Sequence, residues 1–308
     1  MRLAFAGLAH SHPFTDAGVA RSLGVRDLDA WDGGEPARMV AFRERHPDVE
    51  PAPCLDDLLA RRPDAVVVTT RPESIAATVA AVLRAGVPCF VNKPAAATAA
   101  DLDALDRAVR GHEERFLTSS VLRFAPAVVE LAERVARERV VSARASVRHD
   151  IAGFLTADRR WQDDPARGGG TLISLGLHGA ELLDAAAGPG ARVLSATRSV
   201  MVHAETASED VGAVVVGWPD GRIGTIEVAG VGGDELYEVA VQTEHGVHTA
   251  RLGGADWQEA LGYRGTMRAV LAMAGGAASP LGWERSRAVL ACVTDAAALA
   301  RAGGRPRG

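Results

Sequence analysis

"MRLAFAGLAHSHPFTDAG", residues 1–18, decides how this chain is read. Residues 3–6 form a short apolar run that fits a buried β-strand, and Gly7 ends it. A strand that runs into a glycine turn and then a helix is the start of a dinucleotide-binding unit. The usual loop is Gly-x-Gly-x-x-Gly. Here the three places hold Gly7, Ala9 and His12. In such a loop the first glycine makes the tight turn, the second lets the backbone approach a pyrophosphate, and the third lets helix and strand pack closely. Gly7 fills the first role, Ala9 adds one methyl group at the second, and His12 departs from the third. Ser11 stands where a helix N-cap belongs, with Pro13 in the first turn.

Strand and helix alternate beyond this loop. Strands are expected over 26–31, 63–70, 88–94 and 115–121, and helices over 13–23, 35–46, 55–62, 71–86 and 98–111. The continuous run "AVVV" at 65–68 reads as a strand buried on both faces. This order predicts a doubly wound parallel sheet of the Rossmann kind over 1–118. The pattern then changes. A helix over 126–139 and a strand over 140–150 precede a helix around 172–187. Alternating strands follow at 192–204, 210–221, 222–231, 235–246 and 247–253, with turn signals such as "PDG" between them. The second domain, 119–308, is therefore expected to be α+β with a large, mainly antiparallel sheet. A helix over 283–303 closes the chain, and 304–308 is expected to be a frayed tail.

Composition narrows the function. At 308 residues the chain has room for one large or two modest domains. A net charge of -5 offers no basic surface, which excludes nucleic acid as a partner. No apolar run is long enough to span a bilayer, so no membrane role is expected. The start lacks the layout of a signal peptide. Cys54, Cys89 and Cys292 are odd in number and far apart, which fits neither a disulfide framework nor a cysteine zinc site. A reduced, cytoplasmic protein is expected. Among 34 basic residues, Lys93 is the single lysine. That bias marks a position needing an ammonium on a flexible stem, for which arginine is no substitute.

Several residues carry candidate chemistry. Asp32 closes the second strand, where an acid would bind the ribose hydroxyls of a dinucleotide, or else it starts the "DGGEP" turn. Gly33 and Gly34 offer no charge for a 2'-phosphate, so NAD is expected rather than NADP. Thr69 and Thr70 end the strand at 63–70, and Lys93 ends the next one, in the crevice where open α/β sheets bind ligands. Together with Gly7, Ala9, His10, Ser11, His12 and Asp32, these form the expected cofactor set. In "GGGTLISLGLHGAELLDAAAG", 168–188, Ser174 and His178 are spaced i,i+4 on one helix face, and Glu181 follows within a turn. A histidine on so apolar a helix can equally be a satisfied core residue. Arg123, Arg148, Trp161 and Arg167 are candidate pocket residues, each with a surface or packing explanation of its own.

The order of these pieces resembles the Gfo/Idh/MocA family of oxidoreductases over nearly the whole chain. The family's Glu-Lys-Pro motif is matched by Asn92-Lys93-Pro94. Its Gly-Gly-Gly segment followed by Asp-x-x-x-His-x-x-Asp is matched by Ser174, His178 and Glu181 after 168–170. "PDAVVVTTRP" and "WQDDPARGGG" have counterparts as well. The departures are Asn92 and Ser174 where the family carries acids, and Ile75 where a histidine is frequent.

The resemblance implies hydride transfer between a nicotinamide and a secondary alcohol of a sugar, cyclitol or related polyol. His178 would be the acid/base and Lys93 would hold the reacting oxygen. Ser174, Glu181, Arg123 and Trp161 would lie toward substrate. A homodimer or homotetramer built on the antiparallel sheet is implied too. Two alternatives differ in class: an impaired relative that only binds cofactor or ligand, and a metal-dependent enzyme using His10 and His12.

Overall fold

The computed structural model describes residues 1–303. The tail expected at 304–308 lies outside the described residues. The described residues divide into two compact units, one built from Met1–Ala96, Ala100–Ser119 and Tyr263–Trp283, the other from Ala97–Ala99, Ser120–Gly262 and 284–303.

In the first unit, β1 (Arg2–Ala6), α1 (His12–Ser22), β2 (Asp27–Trp31), α2 (Pro36–Arg45), β3 (Glu50–Pro51) and α3 (Leu55–Ala60) come first. Next are β4 (Ala65–Val68), α4 (Pro72–Arg84), β5 (Cys89–Asn92), α5 (Ala99–Val109) and β6 (Phe116–Ser119). The sheet order is β3-β2-β1-β4-β5-β6, with every pair parallel. Order reverses between β1 and β4, so the carboxyl ends of those strands flank the crevice of a doubly wound sheet. The helices follow from their spacing. In α4, Pro72 starts the first turn, the buried face is Ile75, Thr78, Val79, Val82 and Leu83, and Gly86 at φ +79° lets the chain leave. Phe5 of β1 and Phe14 of α1 both pack on Phe42 of α2, with ring centroids 5.6 and 5.3 Å apart. Such pairs contribute about 0.5–1.5 kcal/mol beyond the area they bury.

The second unit opens with α6 (Pro126–Val135), β7 (Val140–Arg148), α7 (Thr171–Ser174) and α8 (Gly176–Ala187). The strands β8 (Arg192–Ser199), β9 (Val211–Gly217), β10 (Ile223–Ala229), β11 (Leu236–Thr243) and β12 (Val247–Leu252) follow, then the short α9 (Trp257–Ala260). Their sheet runs β12-β11-β7-β10-β9-β8. It is mixed: β7 pairs parallel with β10 and antiparallel with β11. The hairpin pattern read from sequence holds for β9–β10 and β11–β12, but β7 enters between the two hairpins. Helices α6, α7 and α8 cover one face of this sheet.

Two segments fall outside the expected division at 118/119: residues 263–283, expected with the second domain, cluster with the first unit, and Ala97–Ala99 cluster with the second. The first of these segments holds α10 (Tyr263–Ala274), which packs on α1 and β4 through a buried face that includes Met267 and Val270. The last helix, α11 (Trp283–Arg301), begins there too, where the Trp283 indole donates to Asp106 across 2.8 Å. A helical spacing of apolar residues says that a face is buried, not which distant sheet it covers.

Candidate functional site

The opening loop is held by its own backbone. Gly7 N–H donates to Trp31 O at 2.8 Å, Leu8 N–H to Asp32 O at 3.2 Å, and Ala9 N–H to Thr69 O at 3.0 Å. The Thr69 hydroxyl donates back to Gly7 O. Three loop amides are thus spent on the ends of β2 and β4, and Gly7 and Ala9 shape the turn. Gly7 sits at φ +88°, and a Cβ there would stand 2.6 Å from the backbone nitrogen of Thr70. Only glycine fits such a place. Arg38 of α2, which sequence reading missed, donates to the carbonyls of Leu8 and His10 and so closes the loop from the other side.

Ser11 occupies the N-cap position of α1, but its side chain makes no capping bond. The first turn of α1 therefore has no hydroxyl across its end, and a helix N-terminus is where this fold seats a pyrophosphate. Thr70 Oγ1, just past β4, is buried without a hydrogen-bond partner among the described residues. Asp32 accepts from Gly34 N–H at 2.8 Å through one oxygen, so the turn reading is realised there. An open helix end, an orphaned hydroxyl and an acid at the end of β2 fit a dinucleotide. His10 and His12 form an aromatic cluster: His10 meets His12 edge-on at 5.2 Å, and His12 stacks on Tyr263 at 5.7 Å. Among the described residues no group of three or more His, Cys, Asp or Glu is arranged to hold a metal ion.

Lys93 follows β5 and is buried, at 8% exposure, which removes the solvated-surface explanation. Its N–H donates to the side-chain oxygen of Asn92 at 2.9 Å. The Asn92 amide in turn donates to Asp16 of α1 at 2.8 Å. Burial pushes the Asp16 carboxyl up to about 7, against the lowering effect of the Asn92 bond. Sequence reading missed Asp16. Its signal was an acid on the otherwise buried face of α1.

In the second unit the predicted helix is realised as α7 and α8 separated at Leu175, and Ser174 and His178 are both buried. Bonds from Leu175 N–H to Thr171 O and from Gly179 N–H to Leu175 O carry the helical ladder across the junction. The glycines before it serve packing: at φ +79°, a Cβ on Gly169 would lie 2.3 Å from Ile173, and one on Gly170 would lie 2.5 Å from Ser208. His178 Nδ1 lies 2.6 Å from Ser120 Oγ, and its ring meets Tyr237 edge-on at 5.6 Å. Ser120 was not singled out from sequence, although its place just past a parallel strand was a usable signal.

Arg123 and Glu181, read as substrate residues, are turned toward each other. The Arg123 guanidinium donates to Glu181 and to Asp184, and Arg285 holds Asp184 from a second direction at 2.7 Å. Burial pushes the Glu181 carboxyl up, with the Arg123 charge opposing it. Both residues are therefore engaged in a buried ion network, a position no spacing rule gives. Trp161 is buried, whereas Arg148 and Arg167 are exposed.

Comparison with known proteins agrees with this architecture. Residues 3–120 match the domain described as "Oxidoreductase family, NAD-binding Rossmann fold", and residues 128–247 match the "GFO/IDH/MocA C-terminal domain". Among solved structures, GenD2 from gentamicin A biosynthesis, in complex with NAD, superposes with a TM-score of 0.83 at 23% identity, covering 100% of this chain and 96% of that one. A myo-inositol dehydrogenase from Corynebacterium glutamicum gives 0.77 at 15% identity, covering 100% and 99%. The WlbA dehydrogenase from Bordetella pertussis, in complex with NADH and UDP-GlcNAcA, gives 0.77 at 18%, covering 100% and 98%. At these identities the likeness is one of fold. No curated protein matched the sequence.

Proposed function

The chain belongs to the Gfo/Idh/MocA family of oxidoreductases, and we propose that it moves a hydride between NAD and a secondary alcohol of a sugar, cyclitol or related polyol. The observation that carries this reading is the chain's single lysine, buried at the end of β5, in the same parallel sheet as β1, whose glycine turn leads to an α1 N-terminus without a side-chain cap. Bound NAD supplies the hydride acceptor. The residues that would hold it are His10, Ser11 and His12, which lead into α1, for the pyrophosphate, Asp32 for the ribose, and Thr69 and Thr70 just past β4, with Gly7 and Ala9 forming the turn. Asp32 with two neutral glycines after it favours NAD over NADP.

Lys93 donates to the reacting oxygen and steadies its developing negative charge. His178 takes the alcohol proton, which an imidazole does well near neutral pH. Lys93 stands in the first unit and His178 in the second. Ser174 cannot act as an acid, and its hydroxyl binds substrate or passes a proton. The structures named as a myo-inositol dehydrogenase and as a dehydrogenase complexed with UDP-GlcNAcA support a polyol-like substrate. A cytoplasmic setting is part of the proposal; among the described residues no helix is long and apolar enough to cross a membrane. The sheet of the second unit keeps one face beyond α6, α7 and α8, with Ile223 and Val247 exposed at strand ends, which supports a homo-oligomer.

The test is NADH formation from NAD with a panel of myo-inositol, hexoses and UDP-sugars. Lys93→Ala and His178→Ala are each expected to lower turnover about a hundredfold or more. Unchanged turnover in both variants overturns the assignment. NADH binding without turnover on any member of the panel favours the reading as a ligand-binding relative.

A further inference from the structure

The 3-10 turn Val121–Phe124 and the serine before it run along one face of α8. Ser120 Oγ meets His178, Ser120 N–H donates to the Glu181 carboxylate, and Arg123 reaches Glu181 and Asp184. Residues 178, 181 and 184 are three apart, so they form one stripe of the helix. Arg285 fastens the far end of that stripe through both the side chain and the carbonyl of Asp184, at 2.7 Å each. The segment from Ser120 to Arg123 is therefore a brace, and its first contact is the imidazole.

We infer that Ser120 is the positioning residue of His178: its hydroxyl oxygen accepts Nδ1–H and leaves Nε2 as the atom that exchanges the proton. This rests on His178 being the base of the proposed dehydrogenase. A hydroxyl oxygen has two lone pairs. Leu122 N–H donates to Ser120 Oγ at 3.1 Å and takes one lone pair; Nδ1 lies 2.6 Å from the same oxygen, where the second lone pair can accept, and Nδ1 is taken as the donor of that bond. Ser120 is fully buried, so water does not compete for either bond. With Nδ1 protonated, neutral His178 carries its lone pair on Nε2. As the substrate's C–H pair passes to the nicotinamide as hydride, the alcohol O–H bond breaks and an Nε2–H bond forms. The Nδ1–H···Oγ bond persists through both states and orients the ring, as a histidine's second nitrogen commonly does.

The test combines tautomer and turnover. Nitrogen-15 NMR of histidine-labelled protein, with His178 assigned by its loss in His178→Gln, reads which ring nitrogen holds the proton. The wild type is expected in the Nδ1–H form. Ser120→Ala removes the acceptor and should move His178 toward the Nε2–H form, which free histidine prefers. Where turnover is measurable, kcat should fall about ten- to a hundredfold, by analogy with the loss of the partner that orients a metal-ligating histidine, with little change in KM. Ser120→Thr keeps the hydroxyl and should restore both readings. If Ser120→Ala does not fold, Ser120→Cys fills the space with a poor acceptor and gives the same two readings. An unchanged tautomer, or a wild type in the Nε2–H form, overturns the inference. A tautomer shift in a protein with no turnover on any alcohol supports the positioning role and counts against the dehydrogenase reading instead.

Discussion

Asn92 donates its side-chain amide to the carboxylate of Asp16 across 2.8 Å, with both residues buried, so the residue before Lys93 is tied to an acid of helix α1. The sequence places an amide before Lys93, and the fold brings a carboxyl to that amide. The pairing also makes Asp16 the titrating group of this corner.

Its carboxyl is pushed by burial from 3.8 up to about 7 in the folded protein. Between those values the folded chain holds a proton that the unfolded chain has released. Stability from this group is therefore present at low pH and lost as pH rises toward 7. Asp16→Asn should remove that slope and make the protein more stable than wild type above pH 7. Urea unfolding at a series of pH values checks this, and a parallel pH dependence in variant and wild type would contradict it.

Arg123→Ala should destabilise the second unit by about 3–5 kcal/mol, because it leaves a buried carboxylate unpaired. Glu181 loses its side-chain cation, whereas Asp184 keeps Arg285. Arg123→Ala combined with Glu181→Gln should therefore recover part of the loss. Denaturant unfolding of the single and double variants measures it, and additive losses would argue that the ion pair contributes little.

Gly7→Ala should cost about 1–3 kcal/mol, since it puts a side chain at positive φ. The added methyl would also stand against Thr70, whose neighbour Thr69 is bonded to this same loop. NADH affinity should fall with stability, because the turn cannot close. Fluorescence titration with NADH and a thermal melt read both, and a variant with wild-type stability would show that the loop has room to relax.

Asp32→Ala should weaken NADH by about tenfold or more, the worth of a hydrogen bond to a charged group. Affinity for NADPH should fall less, so the preference between the two narrows. Paired titrations decide it. An equal loss for both cofactors would mean that Asp32 serves only its turn with Gly34.

Much of the architecture was legible in the chain itself. A buried strand, a glycine turn and an amphipathic helix repeat by local rules, so α4 and β4 could be read from spacing and β-branching alone. Gly7, Lys93 and His178 stood out because each breaks the surrounding composition, and a break of that kind needs no partner to be seen.

Tertiary structure alone decided the rest, because it depends on which surfaces meet. Nothing local inserts β7 between two hairpins or returns α10 to the first unit, since strand neighbours and helix docking are chosen by long-range burial. The resemblance put Arg123 and Glu181 toward substrate, but two buried charges lower each other's desolvation penalty only by pairing, and the fold brings them within reach. The opening loop changed in the same way. Its sequence located the turn, while the bonds of Gly7, Leu8 and Ala9 tie these three amides to the ends of β2 and β4, partners that only the folded sheet supplies.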